Sequence, residues 1–481
     1  MENNMNSVVH PTPAAPPAGS EEFSPGKVGL FQAALSEAPP SRFLAREGED
    51  PLTSAFDRKV AVHAGFGGHP VAEADRESLL ERLLDMPRRG PSALYIHVPF
   101  CETHCLYCGF YNRAYRPEES ARYTDALLRE MDLWRARPAA RSGPFHAVYL
   151  GGGTPTALEA ADLRRILLAV RDGFPLANDC EITVEGRIHH FDAEKMDACL
   201  SAGANRFSLG VQTFHTALRR SMNRLADRAS AIRALGELRD DGRAGVVVDL
   251  IYGFPGQTRD MWRRDLEDFL ALEIDGVDLY QLNVFRDSPL DKAIQAGKSP
   301  AAADPPEQAR LFEAGVARLG RARYRRLSIS HWGRTTRERN VYNHLMKGPS
   351  ECLAFGPGAG GCLGGHYYFG ETRYDRWIEG VSAGRKPLSM LAAPHPMAAL
   401  DKTLAAGFDL GRVHLRGIGE SFGLPLETRL APLAEQWRRA GLVDLDEGWM
   451  ELTLAGQFWS VNLAQFAIEH LHRRQEPKET A

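Results

Sequence analysis

The sequence predicts an α/β fold: a partial (β/α)6 barrel followed by a small C-terminal domain, helical and winged-helix-like. Three observations carry that prediction. Between residues 91 and 340, short β-rich apolar runs alternate with amphipathic helical stretches, which implies a parallel sheet covered by helices. Three cysteines, Cys101, Cys105 and Cys108, follow the first of those runs at C-x3-C-x2-C spacing. Further chemistry-bearing residues (Gly151-Gly-Gly153-Thr-Pro155, Glu185, Gln212 and Asp249) fall at or close to the ends of later runs. A barrel of this kind builds its active site at the carboxyl ends of its strands, so these positions converge on one place.

In chain order, residues 1–45 are rich in Pro, Ala, Ser and Glu and bury too little apolar surface to offset their ordering entropy, so they read as a disordered tail. Residues 46–90 form an N-terminal extension whose aromatics, glycines, His63 and His69 suggest an ordered loop packed on something else. The core spans 91–340. Its expected strands are Ala93–Phe100, Ala147–Leu150, Glu181–Val184, Phe207–Val211, Val246–Tyr252 and Val277–Val284. The expected helices between them are Glu118–Trp134, Ala161–Arg171, Ala193–Ala202, Arg228–Arg239 and Asp260–Ala271. A helix over Pro306–Leu319 and an arginine-rich stretch lead to a glycine-rich connection, 341–390. A C-terminal cap domain, 391–481, closes the chain.

With 481 residues, 43% of them hydrophobic, the chain can bury a large core and a second domain. Its net charge of −4, from 58 basic and 62 acidic residues, argues against a nucleic-acid binder. Seven cysteines, three of them clustered, do not form a disulfide framework. No apolar run reaches the ~18 residues that would span a bilayer. The N-terminus lacks the basic and apolar regions of a signal peptide, so a cytoplasmic protein is expected.

Three soft ligands on one tight loop suit an iron–sulfur cluster that leaves one iron open for a small molecule. A structural zinc site would want a fourth ligand, usually as a second separated pair. Glycines at 151–153 allow close backbone approach and present amides to a charged group. Glu185, Gln212, Arg224 and Asp249 are uninformative singly and credible together as one ligand pocket. His189, His190, His331, His344 and His366 each read more readily as a loop or core residue satisfied by backbone than as a ligand. Cys352 and Cys362 read as structural thiols. The arginines between Arg321 and Arg339 are either a solvated face or a carboxylate site. One specific expectation is that some of Arg325, Arg326, Arg334 and Arg337 face a pocket beside His331 and Trp332.

Taken together these motifs resemble the coproporphyrinogen-dehydrogenase-like branch of the radical SAM (S-adenosylmethionine) family. The resemblance rests on Tyr95-Ile-His-Val-Pro-Phe-Cys101, Gly-Gly-Gly-Thr-Pro, Arg206-Phe-Ser-Leu-Gly-Val-Gln212, Asp249-Leu-Ile-Tyr-Gly-Phe-Pro-Gly-Gln-Thr258 and Phe355-Gly-Pro-Gly-Ala, over residues 91–472. It implies that Cys101, Cys105 and Cys108 bind a [4Fe–4S] cluster whose open iron is chelated by SAM. It also implies that Tyr107 packs near the adenine and that Gly152, Gly153 and Thr154 hold the methionine part. Tyr95, Glu185, Gln212, Arg224 and Asp249 match the remaining SAM positions. Some members of the branch hold two SAM molecules.

Glu185-Gly-Arg187-Ile-His-His-Phe191, Leu52–His63 and His331–Asn343 resemble the anaerobic heme-degrading methyltransferases of the branch, the anaerobilin synthases. That group opens the porphyrin ring without oxygen, transfers a SAM-derived methyl carbon and releases iron. Heme as substrate and an electron donor such as a flavodoxin or ferredoxin follow from the resemblance. The alternatives are an oxygen-independent coproporphyrinogen dehydrogenase and a heme chaperone on the same barrel.

Overall fold

In the computed structural model, residues 40–473 are described, apart from 62, 66 and 190. The expected tail over 1–45 therefore falls mostly outside the described residues, as does His190. Six parallel strands form the core: β1 (Ser92–Val98), β2 (Phe145–Gly152), β3 (Leu176–Gly186), β4 (Arg206–Gln212), β5 (Gly245–Tyr252) and β6 (Gly276–Gln281). They pair in sequence order. Their centres are apolar on both faces because helices cover the outside, as parallel sheets require. The intervening helices are Pro117–Trp134, Ala160–Gly173, Ala193–Ser201, Arg228–Asp241 and Arg259–Leu272. Three of these start on side-chain caps, where Asp192, Asp227 and Thr258 accept the amides of Lys195, Ser230 and Met261.

The sheet does not stop at six strands. The segment expected to be a glycine-rich connection, 341–390, forms a helix (Val341–Lys347) and then sheet. Glu351–Phe355 pairs parallel to β1, and Gly360–Leu363, His366–Gly370 and Leu388–Ala393 extend the sheet as an antiparallel meander. The glycines that suggested a loop lie under aromatic rings. A Cβ on Gly361 would meet the Tyr368 ring at 2.2 Å, and one on Gly360 would meet Phe369 at 2.8 Å, each across the strand pair. Glycine in a strand interior marks such a close approach.

At the other edge, the arginine-rich stretch folds into a hairpin, Arg325–Arg326 with His331–Gly333, antiparallel to β6. It is fastened by a buried charge network. Arg206 donates to Glu338 at 3.0 Å, Glu338 contacts His331 Nε2 at 3.0 Å, and His331 Nδ1 meets Asp278 at 2.7 Å. All four residues are at most 3% exposed. The expectation that nearby arginines face a pocket is overturned. Arg325 donates to the Glu338 carbonyl, and Arg326 donates to Ser328 and Ile329 and lies over Trp332. Arg334 and Arg337 reach the carbonyls of Glu273, Gly242 and Ala244, which precede β6 and β5 at the strands' amino ends. Backbone carbonyls at the hairpin and at the amino ends of β5 and β6, with the Gln457 side chain at Arg326, take these guanidiniums.

The C-terminal region holds an antiparallel sheet (Arg412–His414, Val443–Asp446, Trp449–Leu452) among helices Ala398–Asp409, Leu415–Phe422, Leu426–Arg439 and Ser460–Arg473. The N-terminal extension packs onto it. Phe56 sits edge-on against Trp459 and Phe466 at 5.5 and 5.4 Å, and the Trp437 indole donates to the Phe43 carbonyl at 3.0 Å. No helix of the described residues is long and apolar enough to cross a membrane.

The buried network makes a pH-dependent prediction. Burial opposes the charge on His331, but Asp278 and Glu338 outweigh it and lift the imidazolium to about 9. Burial likewise opposes the Glu338 carboxylate, and Arg206 and His331 pull it down to about 2. A raised histidine stabilises fully below its unfolded value near 6.5 and loses that contribution as pH rises through 9. The Glu338 contribution is complete above about 4.5 and is lost towards pH 2. Urea unfolding should therefore show the wild type losing about 3 kcal/mol relative to His331→Gln between pH 6.5 and 9.5. A parallel pH dependence in the two proteins would refute the assignment.

Candidate active site

The cysteine loop leaves β1 and is pinned at several points. Phe100–Cys101 pairs with Arg113–Ala114, the Tyr115 amide donates to the Cys101 carbonyl at 2.9 Å, and the Leu290 amide donates to Leu106 at 2.9 Å. Cys101 and Cys105 are buried and Cys108 is half-buried. Each sulfur receives a donor. Thr154 Oγ1 and Arg187 approach Cys101 Sγ at 3.4 and 3.5 Å, Arg224 approaches Cys105 Sγ at 3.6 Å, and the Phe110 amide approaches Cys108 Sγ at 3.3 Å.

Burial pushes the Cys101 and Cys108 thiols up, so these donors alone do not ionise them, and a bound metal would. A structural zinc site wants four ligands, and this loop supplies three cysteines, the number that leaves one iron of a cubane open. The donor set fits an iron–sulfur cluster.

Directly behind this loop runs the end of β2. A Cβ on Gly153 would stand 2.4 Å from the Phe100 carbonyl oxygen and 3.1 Å from Cys101 Sγ. Gly152 has φ +108°, and a Cβ there would meet His97 at 2.7 Å. Only glycine lets the strand end pass this close. Glu185, at the end of β3, accepts from Tyr149 at 2.5 Å and from the Gly152 amide at 3.2 Å; burial raises its carboxyl. Tyr95 contacts His97 Nδ1 at 2.9 Å and stacks towards Tyr149 and Tyr342, whose own rings lie 4.3 Å apart.

A second group faces the cluster loop from β4. Arg224 donates to Tyr107 at 3.0 Å and to the Gly210 carbonyl, while Tyr107 stands edge-on to Phe254 at 5.2 Å. Gln212 has φ +71° at a register slip in β4, a left-handed conformation that costs a side-chain-bearing residue about 1–2 kcal/mol. Asp249 lies opposite Gly210 and Asp278; burial first, then Asp278 and Glu185, raises its carboxyl to about 8. Gln212 Oε1 and Arg224 Nε are buried without a hydrogen-bond partner. Buried polar atoms of this kind are rare unless something else satisfies them, so the pocket fits a polar ligand beside the cluster.

Contacts thus link Tyr95, through Tyr149, to Glu185 and the Gly152–Thr154 turn, and separately Tyr107 to Arg224, with Gln212 beside Arg224 at Gly210. Asp249 stands within electrostatic reach of Glu185. The structure brings all the expected positions to the carboxyl ends or interior of the strands. Sequence reasoning missed Tyr149 and Tyr342, whose contacts form only once β2 and the helix Val341–Lys347 meet. It carried Arg187 only within the Glu185–Phe191 motif and missed that this side chain donates to the Thr103 carbonyl at 2.9 Å as well as to Cys101 and so clamps the cysteine loop. Its position two residues beyond Glu185 was the available signal. His344 and His366 bond backbone carbonyls, and Cys352 and Cys362 are buried cross-strand neighbours.

Next to this pocket opens a cavity of about 660 Å³, within the range of small-molecule and cofactor sites. Its walls come from β6 and the turn after it (Asp278–Asn283), from the helix Val341–Lys347, from Lys59, Ala61, His63–Gly65 and Gly67–Gly68, and from the two helices Ala398–Asp409 and Ser460–Arg473. Asp278 and Tyr280 line it and also neighbour Asp249 electrostatically.

Comparison with known proteins adds the following. The Radical SAM superfamily profile matches residues 95–269. The chain is 42% identical over 425 residues to an anaerobilin synthase from Escherichia coli O157:H7, covering 88% of this chain and 93% of that one. It is 26% identical over 423 residues to an oxygen-independent coproporphyrinogen III oxidase from Salmonella typhimurium, covering 82% and 89%. The solved coproporphyrinogen III oxidase (HemN) from Escherichia coli, a radical SAM enzyme, shares the fold with a TM-score of 0.72 at 22% identity, over 85% of this chain and 96% of that one.

Two predictions follow from the sulfur environment. Cys101→Ala, Cys105→Ala and Cys108→Ala should each abolish SAM cleavage, while Cys180→Ala, Cys199→Ala, Cys352→Ala and Cys362→Ala should retain iron and cleavage. Arg187→Ala removes a positive charge and a donor from a ligating sulfur, so an EPR redox titration should find its cluster reduced at a more negative potential. An unchanged midpoint would assign Arg187 to loop anchoring alone.

Proposed function

The chain belongs to the radical SAM superfamily, and from that premise we propose that it degrades heme without oxygen, opening the porphyrin ring with transfer of a SAM-derived methyl carbon and releasing iron. The similarity to an anaerobilin synthase across 93% of that protein supports this over the coproporphyrinogen oxidase reading. The observation that carries it is the cavity: it is large enough for a tetrapyrrole and shares the wall residues Asp278 and Tyr280 with the surroundings of Asp249.

When bound, a [4Fe–4S] cluster with SAM on its open iron supplies carbon-radical chemistry started by one electron. In this reading Cys101, Cys105 and Cys108 hold the cluster. The Gly152 and Gly153 turn, Thr154 and Glu185 hold the amino-acid end of SAM, and Tyr107 packs beside its base. Asp249, with its carboxyl raised to about 8, holds a proton near neutral pH and can donate to a hydroxyl. Gln212 and Arg224 offer their unsatisfied atoms to the remaining polar groups. The stacked Tyr95, Tyr149 and Tyr342 close off water on the inner side of Glu185, which protects a reactive centre from side reactions. A small cytoplasmic redox protein, a flavodoxin or ferredoxin, supplies the electron in this proposal. A second SAM is part of the family resemblance and has no assigned residues here.

Anaerobic incubation of the reconstituted protein with heme, SAM and a low-potential reductant should bleach the Soret band, release chelatable iron, and yield an open-chain tetrapyrrole carrying one added carbon by mass spectrometry. Heme recovered intact without SAM cleavage would favour the chaperone reading. Oxidation of coproporphyrinogen propionates in its place would favour the dehydrogenase.

A further inference from the structure

Heme brings an iron as well as a ring, and the cavity wall contains one histidine among its described residues, His63. The three carboxylates on that wall are already engaged, whereas an imidazole is the neutral nitrogen donor the wall offers. Asp278 is ion-paired with His331 at 2.7 Å, Asp409 with Lys347 at 2.6 Å, and Asp401 with His472 at 2.8 Å. No hydrogen bond to a described residue occupies either ring nitrogen of His63. The His63 side chain stands open to the cavity. Desolvation by the surrounding protein and the Lys347 charge lower its imidazole against an opposing pull from Asp409, which favours the neutral, ligating form at physiological pH.

The backbone that carries His63 is held on both sides. Asn462 and Gln465 project from the helix Ser460–Arg473 and are 0% and 3% exposed. Buried amides are costly unless bonded, and these bond the strap. Asn462 Oδ1 accepts the Val60 amide at 3.1 Å and its Nδ2 donates to the Arg58 carbonyl at 2.9 Å. Gln465 Oε1 accepts the Gly65 amide at 2.9 Å. Just beyond, Gly68 passes so close to the Leu388–Ala393 strand that a Cβ would lie 2.4 Å from the Ala393 carbonyl oxygen. The chain is therefore fixed at Arg58–Val60, at Gly65 and at Gly68, with His63 between the anchors on the cavity wall.

We propose that His63 is the axial ligand of the iron of heme bound in this cavity. A ring nitrogen donates its lone pair to the open iron coordination position, with no change of oxidation state. The bond stands perpendicular to the porphyrin, so it sets the height of the ring in the cavity and leaves the walls to choose which edge points towards Tyr280. This assignment rests on the heme reading given above.

The test is a titration of the full-length, cluster-reconstituted protein and its His63→Ala variant with ferric heme, followed by the Soret band and EPR. A second series uses metal-free protoporphyrin IX. The wild type should show an imidazole-bound iron signature that His63→Ala lacks and that added imidazole restores. Loss of even an outer partner of a metal site costs tenfold or more, so heme affinity should fall about tenfold at least. Protoporphyrin, having no iron, should bind both proteins alike, which also shows the variant to be folded. Wild-type spectrum and affinity in His63→Ala would overturn the ligand assignment while leaving the heme reading standing. Failure of the wild type to bind either tetrapyrrole would bring down the heme reading itself.

Discussion

The site depends on one close approach. The end of β2 crosses behind the cysteine loop with the Gly153 amide bonded to the Val98 carbonyl at 2.8 Å, leaving no room for a side chain at Gly153. That contact places Thr154 against Cys101 and presents the Gly152 amide to Glu185. A single methyl group at Gly153 would separate β2 from the loop and with it the cysteines from the strand ends. The cysteines proposed to hold the cluster and the positions expected to hold SAM are therefore not two sites that happen to adjoin. They are one piece of backbone packing, read from its two faces.

The barrel interior answers this constraint with charges held out of water. Near the hairpin edge the solution is internal, since Arg206, Glu338, His331 and Asp278 form a network with two charges of each sign. Nearer the cluster it is left open. Glu185 and Asp249 are both raised by burial, Gln212 sits in a left-handed backbone, and atoms of Gln212 and Arg224 lack partners. An arrangement like this costs stability in the absence of a ligand and returns it when polar groups bind, so it belongs at a site rather than in a core. The contrast between closed and open networks, separated by the single step from Asp278 to Asp249 across β5 and β6, marks where structure ends and ligand begins.

Much of this was legible in the residues. The six strands and five helices of the barrel have strong periodicity, and the structure places them within a few residues of expectation. The exceptions have physical reasons. β3 begins at Leu176, well before Glu181; the polar pair Asn178-Asp179 breaks the apolar run there, and this first part of the strand pairs with β2 only through Leu176 and Phe145. The strands at Gly360–Leu363 looked like loop because their glycines owe their place to Tyr368 and Phe369, which lie across the pair rather than next in sequence. The arginines near His331 were misread for a similar reason. Their acceptors, the carbonyls of Gly242, Ala244 and Glu273, carry no signature in sequence. Motif positions such as Cys101, Gly153 and Glu185 were visible because the cysteine spacing, the glycine run and the strand-end carboxylate are patterns in the sequence itself. Tyr149, Tyr342 and Arg187 needed the fold to bring them in.

What the barrel cannot supply by itself is the cavity. Its strands provide one wall through Tyr252 and Asp278–Asn283, the helix Val341–Lys347 and the antiparallel meander add another, and much of the remainder comes from the segment between Lys59 and Gly68 and from the C-terminal helices. Residues 40–70 reach the C-terminal helix through Phe43, Phe56 and the amides of Asn462 and Gln465, contacts that span about four hundred positions of sequence. Long-range closure of this kind is entropically demanding, and here it is met by buried aromatic faces and by hydrogen bonds that leave few buried amides unpaired. The consequence is a division of labour along the chain. The barrel fixes the chemistry close to the cysteines, and the two termini together shape the space beside it. Relatives on the same barrel can differ in substrate by changing those outer walls while the cluster loop and the glycine turn behind it stay as they are.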